Sequence, residues 1–290
     1  MPLPSLKPLR GIRVLSLALN LPGPAALMRC RQMGASCVKI EPPSGDPMGH
    51  YNKPAYTQLH EGVKLLVADL KTEAGQKLLH RELAKTDVLL SSFRPSALDK
   101  LGIAWKTLHR LYPALSQVAI VGATGERAEE PGHDLTYLAD NGLVTGLDLP
   151  STLYADMGGS LMASEAVLQA VMHQRSKNKG VYLEMALSDA AGYLALPRAW
   201  GLTQPSGTVG GAHAGYRLYP CKDGRVAVAA LEPHFAAALC AAAGVAASDI
   251  RAMFAKGTHQ AIADFLLTQT RKQLDKLAVA KDIPLHTMAR

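Results

Sequence analysis

Apolar residues run almost unbroken through GIRVLSLAL (11–19), spread out through GPAALMRCRQMG (23–34), and close up again in ASCVKIEPP (35–43). A short continuous apolar run between turn residues is the pattern of a strand covered on both faces, and the looser spacing ended by Gly34 is that of a helix. Strand, helix and strand packed so closely predict a parallel βαβ unit. The rhythm repeats. KLLVADL (64–70) reads as a strand, EAGQKLLHRELAK (73–85) as an amphipathic helix, DVLLSSF (87–93) as a strand, PSALDKLG (95–102) as a short helix and LSQVAIVG (115–122) as a strand. This half is therefore expected to be an open, mostly parallel α/β sheet. A long helix from about Gly158 to His173 follows, then a strand in GVYLEMAL (180–187) and a helix in SDAAGYLALPRAW (188–200).

The pattern changes at TQPSGTVGGAHAG (203–215), where Gly and Ser thicken into a linker or active-site loop. Beyond it, YRLYPCKDGRVAVAAL (216–231) holds a turn at Lys222-Asp223-Gly224 between two strand-like runs, which predicts a hairpin. Helical stretches follow at 233–244 and 259–278. The division expected is a large α/β domain over 1–198, a linker over 199–214 and a small α+β domain over 215–290. No internal repeat or low-complexity tract is evident.

Composition narrows the classes. Over 290 residues, 48% hydrophobic and 19% charged residues describe an ordinary globular chain. The net charge of +7 suits a polyanion, yet the cations are mixed with acids and only 5% of residues are aromatic. The one compact basic cluster is RSKNKG (175–180). A nucleic-acid binder shows a basic stripe with stacking aromatics, so nucleic acid is not an expected partner, whereas a small phosphorylated ligand or a plain solvated face accounts for the excess. Cys30, Cys37, Cys221 and Cys240 form no metal-spaced pair and read as free thiols of a cytoplasmic protein. The start, Arg10 and Arg13 before VLSLALNL, resembles a secretory signal but reads better as a buried first strand. The Ala-rich run at 228–247 is interrupted by Glu232, Pro233, His234 and Gly244, against a membrane span.

Candidate chemistry is sparse. GTVGGAHAG is neither a dinucleotide fingerprint nor a P-loop, and the chain has no Gly-x-Ser-x-Gly elbow and no His-Glu-x-x-His zinc motif. Asp156, in YADMGGS, stands where a helix is expected to open. It reads as an N-cap satisfying orphan amides, or as a group facing a ligand, and the two roles are compatible. Gly158 and Gly159 after it are read as leaving amides open to an anion or an oxyanion. His133, in PGHDLTYLADNG, is the side chain type suited to proton transfer near neutral pH, and Asp134 after it suits a helix cap. Glu232, before Pro233, also suits a cap.

Taken in order, LRGIRVLSLA, PGPAALMRCRQMGASCVKIEPP, VADLKTEAGQKLL, AKTDVLLSSFRPSALDKLGI, GHDLTYLADNGL, ADMGGS, RSKNKGVYLEMALSDA and YPCKDGRVAVAALEPHF resemble the family III CoA-transferases of the CaiB/BaiF type, over roughly residues 9–288. Within that family the Gly-His-Asp, Asp-x-Gly-Gly-Ser and Ala-x-Glu-Pro-x-Phe strings look most like the 2-methylacyl-CoA racemases. The resemblance implies a Rossmann-like large domain that binds CoA, a substrate carried as a CoA thioester, no metal, and an interlocked homodimer. It places His133 and Asp156 on the acid/base pair and Glu232 on a supporting acid. Lys39, Ala68, Lys71 and Arg94 fall on CoA-contacting positions, and Asp134 and Tyr137 beside the thioester. The Gly158 and Gly159 amides would stabilise an enolate oxygen. In the family's transferases the matching aspartate is instead a nucleophile that forms a mixed anhydride; a catalytically impaired CoA-binding paralogue is the third reading.

The chain departs from the family pattern at Glu61, where a cation is usual, at VGATGERAEE (121–130), which replaces a Gly-aromatic-Gly turn, and at Ser96, which replaces a glycine. The segment between His133 and Asp156 is shorter than in the racemases. Family members continue past the DIPLHTM region to complete the large domain, so an exposed sheet edge or apolar patch is expected here unless a partner chain covers it.

Overall fold

The computed structural model describes residues 6–246 and 250–290. The chain forms two compact units, Met1–Ala195 and Leu196–Arg290.

The first unit runs β1 (Arg13–Ser16), α1 (Pro22–Gln32), β2 (Ser36–Glu41), α2 (Pro47–Tyr51), α3 (Lys53–Leu59), β3 (Lys64–Val67), α4 (Glu73–Leu83), β4 (Val88–Ser91), α5 (Pro95–Lys100), α6 (Trp105–Leu111), β5 (Ser116–Val121), α7 (Asp134–Asp140), α8 (Tyr154–Lys177) and β6 (Tyr182–Ala186). Helix α9 (Leu187–Ala199) begins in this unit and crosses its boundary. The six strands form one parallel sheet in the order β3-β2-β1-β4-β5-β6, with Val14 level with Cys37 on one side and Val88 on the other. Strands β1, β4 and β5 are buried on both faces, which is why they read as continuous apolar runs. Val14, Val88, Leu90, Val118 and Ile120 pack toward α1 and α8, while Leu15, Leu89, Val38 and Ile40 pack toward Leu79 and Leu83 of α4. Gly23 lets α1 close on the exit of β1, since a Cβ there would lie 2.1 Å from Ala18 Cβ.

The second unit contains β7 (Tyr216–Cys221), β8 (Gly224–Ala229), α10 (Pro233–Ala242), α11 (Lys256–Thr268), α12 (Arg271–Lys281) and β9 (Leu285–Met288). Its antiparallel sheet has the order β7-β8-β9. Lys222 and Asp223 form the predicted hairpin turn, with Cys221 opposite Gly224. Val226, Val228, Leu239, Ile262, Leu266 and Leu274 form the core of this unit.

Three local readings need correction. Helix α8 starts at Tyr154, so Asp156 lies within its first turn and is not its N-cap. The single helix expected over 259–278 is two helices, because Thr270 accepts a bond from the Gln273 amide while Gln273 Oε1 accepts from the Thr270 amide at 2.8 Å, a reciprocal cap that starts α12. Residues 285–288, not expected as a strand, pair with β8. Among the described residues no helix is long and apolar enough to cross a membrane.

Candidate active site

A cavity of about 550 Å³ opens beyond the carboxyl ends of β1, β4 and β5. Strands β1 and β4 lie side by side although β2 and β3 intervene in sequence. The connections leaving them diverge to opposite sides of the sheet, and such a switch point leaves a crevice. Leu19, Asn20, Leu21 and Pro22 after β1, Phe93 and Arg94 after β4, and Gly122 after β5 form part of its wall. His133, Asp134, Tyr137 and Asp156 face the same space.

The start of α7 and the start of α8 are tied together here. Asp134, buried at 5% exposure, accepts the Asp156 amide on Oδ1 at 3.0 Å. It thus does from another helix what the N-cap Leu153 cannot do for α8. Asp156 is half-buried, and burial pushes its carboxyl up to about 6; the charge of Asp134 adds to the rise and His133 opposes it. His133 is exposed, at the N-cap of α7, and its amide donates to Thr136 Oγ1 at 3.1 Å. The Tyr137 ring is buried against two glycines: an added Cβ at Gly122 or Gly132 would come within 2.3 or 2.6 Å of its hydroxyl oxygen. Burial, then the charge of Asp156, pushes that hydroxyl upward, while Arg94 acts the other way.

A second cavity, of about 140 Å³, is lined by Ala68 and Lys71 together with Ile40, Glu41 and Leu101. Leu19 and Phe93 border both cavities, so the two adjoin. Of the predicted positions, Ala68, Lys71, Arg94, His133, Asp134, Tyr137 and Asp156 therefore gather along two adjoining hollows of the first unit.

Other expectations are corrected. Lys39 is fully buried and borders neither cavity; its ammonium bonds Glu41 at 3.1 Å, His60 Nε2 at 2.9 Å and Asp46. The β2 strand turns it into the interior, where it cannot meet a ligand directly. Gly158 and Gly159 lie past the first four residues of α8, where amides bond the preceding turn and are not free for an oxyanion. Their role is close packing: a Cβ on Gly159 would lie 2.3 Å from Leu187 Cδ2, and one on Gly158 3.2 Å from Leu194 Cδ1. Glu232 is exposed at the N-cap of α10 in the second unit and makes no side-chain cap bond.

Glu41, Asp46 and His60 are spaced to hold a cation, and the Lys39 ammonium is the cation that bonds all three. Two of the sequence departures prove to meet each other. Ser96 donates its amide and hydroxyl to the two oxygens of Glu129, at 2.8 and 2.9 Å, joining the loop after β4 to the 3-10 helix Gly125–Glu129 after β5. Glu61, the third, approaches Arg31 at 3.8 Å. Asn20 and Tyr51 also face the larger cavity and were missed. Asn20 has φ of +65°, and an Asn two residues before Pro-Gly-Pro was the available signal.

Comparison with known proteins gives a consistent result. The profile of CoA-transferase family III matches residues 9–290. The succinyl-CoA–D-citramalate CoA-transferase of Chloroflexus aurantiacus is 34% identical over 188 residues, 59% of this chain and 47% of that one. The alpha-methylacyl-CoA racemase of Mus musculus is 29% identical over 262 residues, 83% of this chain and 66% of that one. The chain thus spans about half to two thirds of these relatives. Among solved structures, a protein of Mycobacterium tuberculosis aligns with TM-score 0.85 at 23% identity, over 98% of this chain and 86% of that one. A CAIB/BAIF family protein of Brucella suis aligns with TM-score 0.81 at 24% identity, over 98% and 85%.

Proposed function

This chain belongs to CoA-transferase family III, and from that premise we propose that it exchanges the α-proton of a 2-methylacyl-CoA thioester, as a racemase does. One observation carries the reading: His133 and an Asp156 whose carboxyl is raised to about 6 border one cavity. A thioester acidifies its α-carbon, and inversion there needs a base on one face and an acid on the other. In one direction neutral His133 takes the α-proton and the Asp156 carboxyl delivers its own to the opposite face, leaving an imidazolium and a carboxylate; the reverse reaction starts from that pair. A carboxyl titrating near 6 is available in both forms around neutral pH. The CoA portion follows Arg94 and the adjoining hollow at Ala68 and Lys71. An uncharged acyl group suits a wall that includes five Leu, one Ile and one Val and carries Glu130, Asp134 and Asp156 against Arg94.

The second reading has its own support in the 34% identity to a CoA-transferase. There the Asp156 carboxylate attacks the thioester carbonyl and expels CoA thiolate, which attacks the Asp156 carbonyl of the mixed anhydride to release the first acid and leave an aspartyl-CoA thioester. A second carboxylate attacks that thioester, and the thiolate it expels takes the new acyl group from the second anhydride, freeing Asp156. A homodimer and a cytoplasmic setting, the latter in keeping with four buried free cysteines, complete the proposal.

Incubation with a 2-methylacyl-CoA in deuterated water separates the readings. Deuterium at the α-carbon supports the racemase. An acyl-enzyme trapped by hydroxylamine, with no exchange, supports the transferase. Bound CoA with neither reaction identifies an impaired paralogue.

A further inference from the structure

Lys39 is removed from the ligand, yet its surroundings lead back to the cavity wall. Three groups surround its ammonium: Asp46 Oδ2 and His60 Nε2, the latter at 2.9 Å, accept from it, and Glu41 Oε1 forms an ion pair with it at 3.1 Å. His60 can accept because its other nitrogen, Nδ1, faces the Tyr56 carbonyl at 2.7 Å and donates to it. Burial lowers the proton affinity of the ring in keeping with that neutral tautomer. Glu41 in turn accepts the Tyr56 hydroxyl at 3.0 Å. Such a fully satisfied buried network is rigid, whereas loss of one charge leaves the others uncompensated.

The remaining acceptor capacity of Asp46 is spent on two backbone amides. Met48 at 2.9 Å starts α2, and Asn20, at 3.1 Å to one carboxylate oxygen and 3.2 Å to the other, lies on the far side of α1 in sequence. Asn20 stands at φ +65°, the left-handed region that Asn adopts more readily than other non-glycine residues. It follows Leu19, which borders both cavities, and precedes Leu21 and Pro22, which border the larger one.

We propose that Lys39 and Asp46 are positioning residues: the buried ion pair clamps the Asn20 amide and thereby fixes the Leu19–Pro22 wall against which the CoA thioester lies. The ligand in this inference rests on the acyl-CoA reading above, so its test includes a measurement that needs no ligand.

Coenzyme A itself is titrated calorimetrically into the full chain and into Asp46→Ala, Lys39→Met and Tyr56→Phe, and amide hydrogen exchange is followed at Asn20. Asp46→Ala and Lys39→Met are expected to weaken CoA binding at least tenfold and to speed Asn20 exchange at least a hundredfold. Tyr56→Phe loosens the same network without touching Asn20, and is expected to leave CoA affinity within twofold. If Lys39→Met fails to fold, Asp46→Asn, which keeps an acceptor oxygen but gives up the ion pair, is expected to weaken binding at least threefold. Unchanged affinity in Asp46→Ala, equal losses in Tyr56→Phe, or an Asn20 amide that stays protected would overturn the proposal. If the unaltered chain binds no CoA, the acyl-CoA reading fails, and Asn20 exchange alone then decides for or against the clamp.

Discussion

In the proposed reaction Asp156 draws its role from its neighbours. Its amide is bonded by Asp134, its carboxyl is half-buried, and His133 faces the same cavity. Replacing His133 or Asp156 with Ala is expected to cut α-proton exchange about 10²–10⁴-fold, the usual range for loss of a positioned acid or base; the rate of deuterium uptake checks it. Asp156 also makes a stability prediction. Its pKa rises from 3.8 to about 6 on folding. Below 3.8 both states hold the proton and nothing changes; between the two values the folded state holds it longer, and above 6 the ionised carboxylate costs stability. Asp156→Asn is therefore expected to raise Tm by about 2–4 °C at pH 8 and to leave it unchanged at pH 3.5, read by thermal unfolding at both pH values. The residue types at positions 133 and 156 were visible in the sequence. Their convergence was not, since it depends on Asp134 tying two helices together. The facing of Lys39 was hidden for a different reason: in a strand buried on both sides, alternation does not tell which way a residue points.

At the scale of elements, most strands and helices of the sheet were legible, because a short apolar run such as VLSLAL between turn residues fits a strand buried on both faces. What escaped was set by single contacts. Helix α8 gains an extra turn before Gly158 through the Asp134 bond, and that turn converts the Gly-Gly pair from an expected anion site into a packing surface for Leu187 and Leu194. The break between α11 and α12 was legible in principle, as Thr270 and Gln273 have capping-box spacing. Thr270→Ala is expected to cost about 1 kcal/mol in chemical unfolding of the chain. Gly23→Ala is expected to cost about 1–3 kcal/mol by overpacking against the buried Ala18, with a matching fall in the denaturation midpoint.

The whole molecule combines a parallel sheet of order β3-β2-β1-β4-β5-β6 with a separate antiparallel unit. The first unit places a hollow at its switch point, and the sequence rhythm of strands and helices already implied such a sheet, though not the strand order on which the hollow depends. Large apolar side chains remain exposed on α8 and α9, among them Leu161 at 51% and Tyr193 at 71%. A surface of this kind favours self-association. Sedimentation equilibrium at micromolar concentration is expected to give twice the chain mass of 30.8 kDa, and a monomer would contradict the proposed dimer. The most direct test of the central claim starts from each pure epimer of a 2-methylacyl-CoA in deuterated water. The account predicts that both epimers take up one α-deuterium and converge on the same mixture, whereas retention of the α-proton and of configuration in both, by an enzyme that binds CoA, would contradict it.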